Sequence, residues 1–143
     1  MSNVLSRFRS LSELEWWKNG IEIRARFVRF LMNENKVPKR WRHVFSFPGV
    51  DLTIKLMQAI VAANTIYPIS EAEVEQRRAF QNEAIIACEQ MIEHMQFMID
   101  VLDNVKVSDF TILYNMLIKE IKLLKGWRKT NKVLTSKIED EKA

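Results

Sequence analysis

Apolar residues recur every three to four positions in four separate stretches of this chain, and no stretch alternates with a period of two. The first stretch runs from about Leu11 to Asn35. Leu14, Trp17, Ile21, Ala25, Val28 and Met32 form one stripe, and Trp16, Ile23, Phe27 and Phe30 form a second. Glu15, Lys18, Glu22, Arg26, Arg29 and Asn33 fill the polar sector. Two stripes exceed what one intramolecular seam needs, so one is expected to face another subunit. Pro38 and Pro48 disfavour helical geometry in the residues before them, which predicts a punctuated connection with room for one or two helical turns.

A second helix is expected from about Gly49 to Tyr67, with Gly49 serving the turn and the helix start. Val50, Ile54, Met57 and Val61 cover one side; Leu52, Leu56, Ala59, Ile60, Ala63 and Ile66 fill most of the rest, as in a central helix. Ser70 to Glu73 has the form of a capping box in which each side chain satisfies an orphan amide. It opens a long third helix, to about Leu102 or Asn104, with Ala84, Cys88, Met91, Met95, Met98 and Leu102 as its main stripe. Ser108 and Asp109 open a fourth, whose core side is Leu113, Met116, Leu117, Leu123, Leu124 and Trp127, fraying after Asn131. Short links force antiparallel neighbours. The prediction is an all-α, up-down-up-down antiparallel four-helix bundle over 11–132. An N-terminal arm, 1–10, precedes it and a polar tail without fixed structure, 133–143, follows.

Composition narrows the class. A chain of 143 residues makes one domain at the usual scale of about 150 residues per domain. With 48% hydrophobic residues and only 3 Gly and 3 Pro, it is neither collagen-like, nor disordered, nor a turn-rich β protein. The single cysteine, Cys88, builds no disulfide framework and points to a reducing cytoplasm. No uninterrupted apolar run approaches the ~18 residues of a membrane span; the best candidate, Val50 to Ile69, is broken by Asp51, Lys55, Gln58 and Asn64. The N-terminus, with Arg7, Arg9, Glu13 and Glu15, lacks the apolar core of a signal peptide. A soluble, cytoplasmic protein without a membrane partner is expected.

The formal charge of +4 is unevenly spread. Residues 1–48 hold ten Lys/Arg against four acids, residues 49–104 three against nine, and residues 105–143 nine against five. A basic–acidic–basic chain either binds a polyanion with its two ends, or pairs its acidic middle with a basic surface of a neighbouring subunit or partner.

Candidate catalytic chemistry is sparse. Only His43 and His94 are present, and Glu89, Glu93 and His94 do not form the Glu-x-x-His motif of a di-iron bundle. Glycine-rich phosphate loops, a Gly-x-Ser-x-Gly elbow and a Cys/His dyad are absent, so no catalytic residue, metal or cofactor is expected. Two basic clusters carry more information. Lys119, Lys122, Lys125, Arg128, Lys129 and Lys132 share a third to a half of the fourth helix's circumference, interrupted by Ile118 and Ile121. Glu120 is the only acid between Lys119 and Lys137. Such a run suits phosphate binding, or is an ordinary solvated face that favours the helix C-terminal dipole. Lys36, Lys39, Arg40 and Arg42 surround Trp41, alternating cation and aromatic as single-strand binders do; the alternative for Trp41 is a cap over the bundle end. Glu120 itself falls at the centre of an apolar face, where Arg24, Arg77 or Arg78 is expected to pair with it.

Val37-Pro38-Lys39, Ala62-Ala63-Asn64 and the closing Leu123-Leu124-Lys125-Gly126-Trp127-Arg128-Lys129 resemble the four-helix bundle family of 23S ribosomal RNA intervening-sequence proteins and of the diversity-generating retroelement accessory protein Avd. The Arg77-Arg78 and Gln81 stretch resembles phage-encoded members. The resemblance implies a homo-oligomer, pentameric in that family, that binds RNA or DNA through basic surface and associates with a reverse transcriptase in templated complementary-DNA synthesis. Lys122, Lys125, Arg128 and Lys129 stand where the family's last helix is basic. The competing expectation is a protein-interaction bundle of prophage origin that docks a basic partner through its acidic third helix and touches no nucleic acid.

Overall fold

A computed structural model describes residues 3–134. Of the expected polar tail, residues 135–143 lie outside the described residues. Four α-helices make up most of the chain: α1 (Glu15–Leu31), α2 (Phe47–Thr65), α3 (Glu71–Val101) and α4 (Thr111–Lys129). Short 3-10 or π turns cover Ser6–Leu11, Lys39–Trp41, Arg42–Ser46 and Val107–Phe110, and there is no strand among the described residues. The result is an all-α bundle in which α2 packs on α1 and α3, and α4 packs on the same two helices.

The core is assembled from one stripe of each helix. Ile23, Phe27 and Leu31 of α1, Leu56 and Ile60 of α2, Ala84, Cys88, Met91 and Met98 of α3, and Leu117 and Leu124 of α4 are fully buried. Each large aliphatic among them contributes roughly 1.5–3 kcal/mol of transfer free energy. The α3 stripe is the one the spacing predicts, from Ala84 to Leu102. The α1 seam differs from the expectation of two separate stripes. Trp17 of one stripe and Ile23 and Phe27 of the other join Gly20 and Leu31, which belong to neither, in a single buried seam, with Asn19 buried beside them, while Leu14 and Met32 are exposed.

Helix ends explain the remaining departures. α1 stops at Leu31, short of Asn35, because Asn33 starts a turn: its carbonyl accepts from the Lys36 and Val37 amides at 3.0 and 2.8 Å. Pro48 does not break the chain. Phe47 before it is helical (φ −65°, ψ −46°), and the π turn Arg42–Ser46 runs directly into α2. Proline near a helix start loses no internal hydrogen bond, so the turn tolerates it. Gly49 lies inside α2 instead of starting it, and a Cβ there would sit 2.6 Å from Leu31 Cδ1. Its role is the close approach of α1 to α2. Ser46, fully buried, donates to the Leu31 carbonyl at 2.6 Å and so satisfies one orphan acceptor at the end of α1.

At the start of α3 the Ser70 Oγ accepts from the Glu73 amide at 3.3 Å, but the Glu73 carboxylate takes the Ser70 hydroxyl hydrogen at 3.1 Å, not its amide. Only half of the predicted capping box forms. A clasp ties the end of α1 to the link between α3 and α4: Lys36 Nζ donates to the Asn104 carbonyl at 3.0 Å and pairs with Asp109 at 3.2 Å, and the Asn104 amide donates to the Asn35 carbonyl at 2.6 Å. The Lys106 amide bonds Asp109 and, with Lys36, holds its carboxyl below the ordinary carboxylate range.

By length and composition alone, the helical stretch Lys39–Thr65 is apolar enough to cross a membrane, which the broken apolar run in the sequence does not suggest. Within the bundle, its Leu56, Ile60 and Ala63 are buried against neighbouring helices.

Candidate nucleic-acid interface

The α4 register is fixed by its buried side: Leu113, Leu117, Glu120, Ile121 and Leu124 follow one another at four, three, one and three residues around a seam at 100° per residue. That register turns Lys122, Lys125 and Lys129 to solvent on the opposite side, all three exposed. None has an acidic partner among the described residues, so their charge is available to an external anion. Lys129 lies seven residues beyond Lys122, about 10 Å along the helix axis, the length of roughly three phosphates on one strand at about 3.4 Å each.

The other members of the expected cluster behave differently. Lys119 is exposed and pairs with Glu15 of α1 at 3.3 Å. Arg128 is half-buried and donates to Asn82 Oδ1 of α3 at 2.7 Å. Lys132 is exposed beyond the end of α4. Ile121 does not interrupt the basic face, because it is buried in the core.

Two arginines that charge counting assigns to an acidic segment join this end of the bundle. Arg77 of α3 lies with its guanidinium carbon 5.3 Å from the Trp127 ring centroid, and burial lowers its pKa. Arg78 is exposed and pairs with Glu75 at 2.8 Å. A reciprocal amide pair ties α3 to the end of α4 there: Asn131 Nδ2 donates to Gln81 Oε1 at 2.6 Å, and Gln81 Nε2 donates to Asn131 Oδ1 at 3.4 Å. The signal in the sequence was the pair Arg77-Arg78 itself, standing among acids near a helix start.

The second cluster is largely consumed internally. Lys36 belongs to the clasp, and Glu34 receives both Lys39 at 3.6 Å and Arg42 at 2.9 Å. Arg40 alone is exposed with no partner among the described residues. Trp41 is half-buried, its ring 5.8 Å from that of Phe45, as a cap on the core and not a free stacking platform.

Comparison of the chain with family models, curated proteins and solved structures finds no match.

His94 is buried, with Nε2 2.8 Å from the Phe45 carbonyl oxygen, whereas His43 is exposed and meets Phe47 edge-on at 5.2 Å. Among the described residues no group of three or more His, Cys, Asp and Glu is arranged to hold a metal ion. Burial pushes the Cys88 thiol up, with Glu120 and Glu89 adding to the effect. Glu120 is fully buried as its position on the wheel predicts, but no arginine reaches it. Its partner is the Asn19 side-chain amide at 3.2 Å. Arg24 is exposed on α1, Arg77 lies over Trp127, and Arg78 turns to Glu75.

Proposed function

We propose that the outward face of α4 is a nucleic-acid interface and that the chain is a non-catalytic accessory protein. The observation that carries this reading is the triad Lys122, Lys125 and Lys129, exposed on one helix face with no acid among the described residues to neutralise it. Affinity for a polyanion comes from many such cations acting together through counterion release. Lys132, exposed beyond the end of α4, adds a further cation. The resemblance to the Avd family extends the reading: a cytoplasmic homo-oligomer, pentameric in that family, that presents repeated basic faces to RNA or DNA and associates with a reverse transcriptase. An oligomer multiplies weak contacts by raising effective concentration. Within the bundle, an up-down-up-down antiparallel topology accords with three contacts: Trp16 against Trp127, Phe30 against Phe110, and Phe45 against Phe97.

The test is a gel-shift titration of the full chain against structured RNA and duplex DNA, with Lys122, Lys125 and Lys129 changed together to Glu. Binding that falls at least tenfold in the variant, and steeply with salt in the wild type, supports the interface. Unchanged binding refutes it.

One observation favours a second reading, a bundle that docks a basic protein partner without nucleic acid. The outward side of α3 carries Glu75, Glu89, Glu93 and Asp100, and among them Ile86 and Phe97 remain 53% and 38% exposed. Beside Ile86, an open groove of about 490 Å³ runs between α2 and α3 past Ala59, Ala62 and Phe80. Retention of a basic partner in pull-down by the triple variant, with no RNA or DNA bound by either protein, would favour this reading over the first.

A further inference from the structure

Glu120 sits in the seam between α1 and α4 with too few partners for a charge. Its Oε1 accepts from Asn19 Nδ2 at 3.2 Å, while the same nitrogen gives another hydrogen to the Met116 carbonyl at 2.9 Å. Its Oε2 is buried and meets no hydrogen-bond partner among the described residues. What faces that oxygen is Gly20: a Cβ built there would lie 3.0 Å from Oε2, 3.2 Å from Met57 Sδ and 3.5 Å from Ile60 Cδ1. The carboxyl is thus set against bare backbone, a thioether and a hydrocarbon. A carboxylate in such surroundings needs a cation or several donors, and leaving it without them is costly.

Among the described residues, no element packed around it supplies a cation. From α1 come Asn19 and Gly20, which do not titrate, and Glu15 lies outward on Lys119. From α2 come Met57 and Ile60. From α3 comes the Cys88 thiol, itself buried and opposed in its ionisation by Glu120 and Glu89. On α4, Lys119 is turned away to Glu15, so its charge reaches Glu120 only as a weak opposing influence. Burial outweighs that influence and the Asn19 bond, and pushes the Glu120 carboxyl up to about 8.

We propose that Glu120 is a proton-operated latch: with its carboxyl neutral the α1–α4 seam is closed, and with its carboxyl ionised the seam opens to admit water. The way out for the charge is short. Asn19, its only hydrogen-bond partner among the described residues, lies at the edge of the buried zone at 8% exposed, and Gly20 presents no side chain to hold the helices together. Opening separates the contacts outboard of the latch, the Trp16–Trp127 stack and the Lys119–Glu15 pair. It also moves α4, the helix that bears the exposed lysines. The latch stands on the packing of Glu120 alone and does not depend on what those lysines bind.

The stacked indoles provide the readout. The full chain and Glu120→Gln are followed from about pH 6 to about pH 9.5 by the circular-dichroism exciton signal of the stacked pair and by the far-ultraviolet helix signal. In parallel, isotope-labelled glutamate in the wild type reports the Glu120 carboxyl by NMR. Trp16→Phe, which removes the exciton signal, identifies it. The expected result is near-complete loss of the exciton signal in the wild type, in step with the Glu120 resonance and with helix content retained. Glu120→Gln is expected to keep the signal throughout, and Cys88→Ala to lose it as the wild type does. An exciton signal constant across the titration of Glu120 overturns the proposal. So does a step that persists in Glu120→Gln or vanishes in Cys88→Ala. If Glu120→Gln does not fold, the wild-type comparison of resonance and exciton signal decides between the same two outcomes.

Discussion

Trp16 of α1 lies flat on Trp127 of α4, ring centroids 4.0 Å apart and planes within 7° of parallel. Arg77 of α3 adds its guanidinium over the Trp127 ring, so three helices meet in one stack. An aromatic pair contributes about 0.5–1.5 kcal/mol beyond its buried area. A double-mutant cycle of Trp16→Leu and Trp127→Leu should therefore return a coupling of about 1 kcal/mol in denaturant unfolding. Additive single effects would show that the two rings are neighbours without being energetically joined.

Glu120 makes stability depend on pH in a direction opposite to most carboxylates. Its pKa rises from an ordinary 4.5 to about 8 in the fold. Between those two values the folded chain holds a proton that the unfolded chain has released. Stability from this group is therefore fully present below about pH 4.5 and declines as pH rises toward about 8, by up to about 1.4 kcal/mol per pH unit. Glu120→Gln removes the slope, so its advantage over the wild type should grow with pH across this window in urea unfolding. A difference between the two proteins that stays constant from about pH 5 to about pH 8 would contradict the assignment.

The lysine face predicts a salt dependence of definite size. Three phosphate contacts give a slope of about −2.7 in log affinity against log salt for duplex DNA. A fourfold rise in salt then lowers affinity about 40-fold per bound protomer. Lys129→Ala should reduce the slope by about one and weaken all sequences alike. Lys39→Ala, a change in a lysine that shares Glu34 with Arg42, should leave it unaltered. Equal effects from the two variants would remove α4 from its special place.

Two glycines should respond to alanine with opposite sign. At Gly49 the new methyl meets Leu31 and Phe27 at 2.6 to 3.0 Å, both fully buried, and overpacking there should cost about 1–3 kcal/mol. At Gly126, on the exposed side of α4, nothing lies within 4 Å of the added carbon. Gly126→Ala should gain about 0.8–1 kcal/mol from helix propensity. Thermal unfolding of the two variants checks both signs.

The helices were legible because hydrophobic periodicity is a local property. The α3 stripe, the Ser70 cap and the burial of Glu120 all follow from spacing along one element. Relations between elements were not legible in the same way. The role of Gly49 depends on Leu31 of another helix, and the partner of Glu120 is an amide on α1 instead of an arginine, because a neutral acid needs no counter-charge. Arg77 and Arg78 were counted with an acidic segment, since a sum over sequence ignores that the start of α3 packs beside the end of α4. For Lys39 and Arg42 the sequence shows cations but not that Glu34 folds back onto both.

The clasp built by Lys36, Asn104 and Asp109 bears on the order in which the molecule is assembled. Its bonds join positions 68 to 73 residues apart. Contacts of such separation form late, because the intervening chain must first be gathered. α2 can cover Phe27 through Gly49 as soon as it forms, but the side of α1 that carries Trp16 and Asn19 stays open until α4 docks on it.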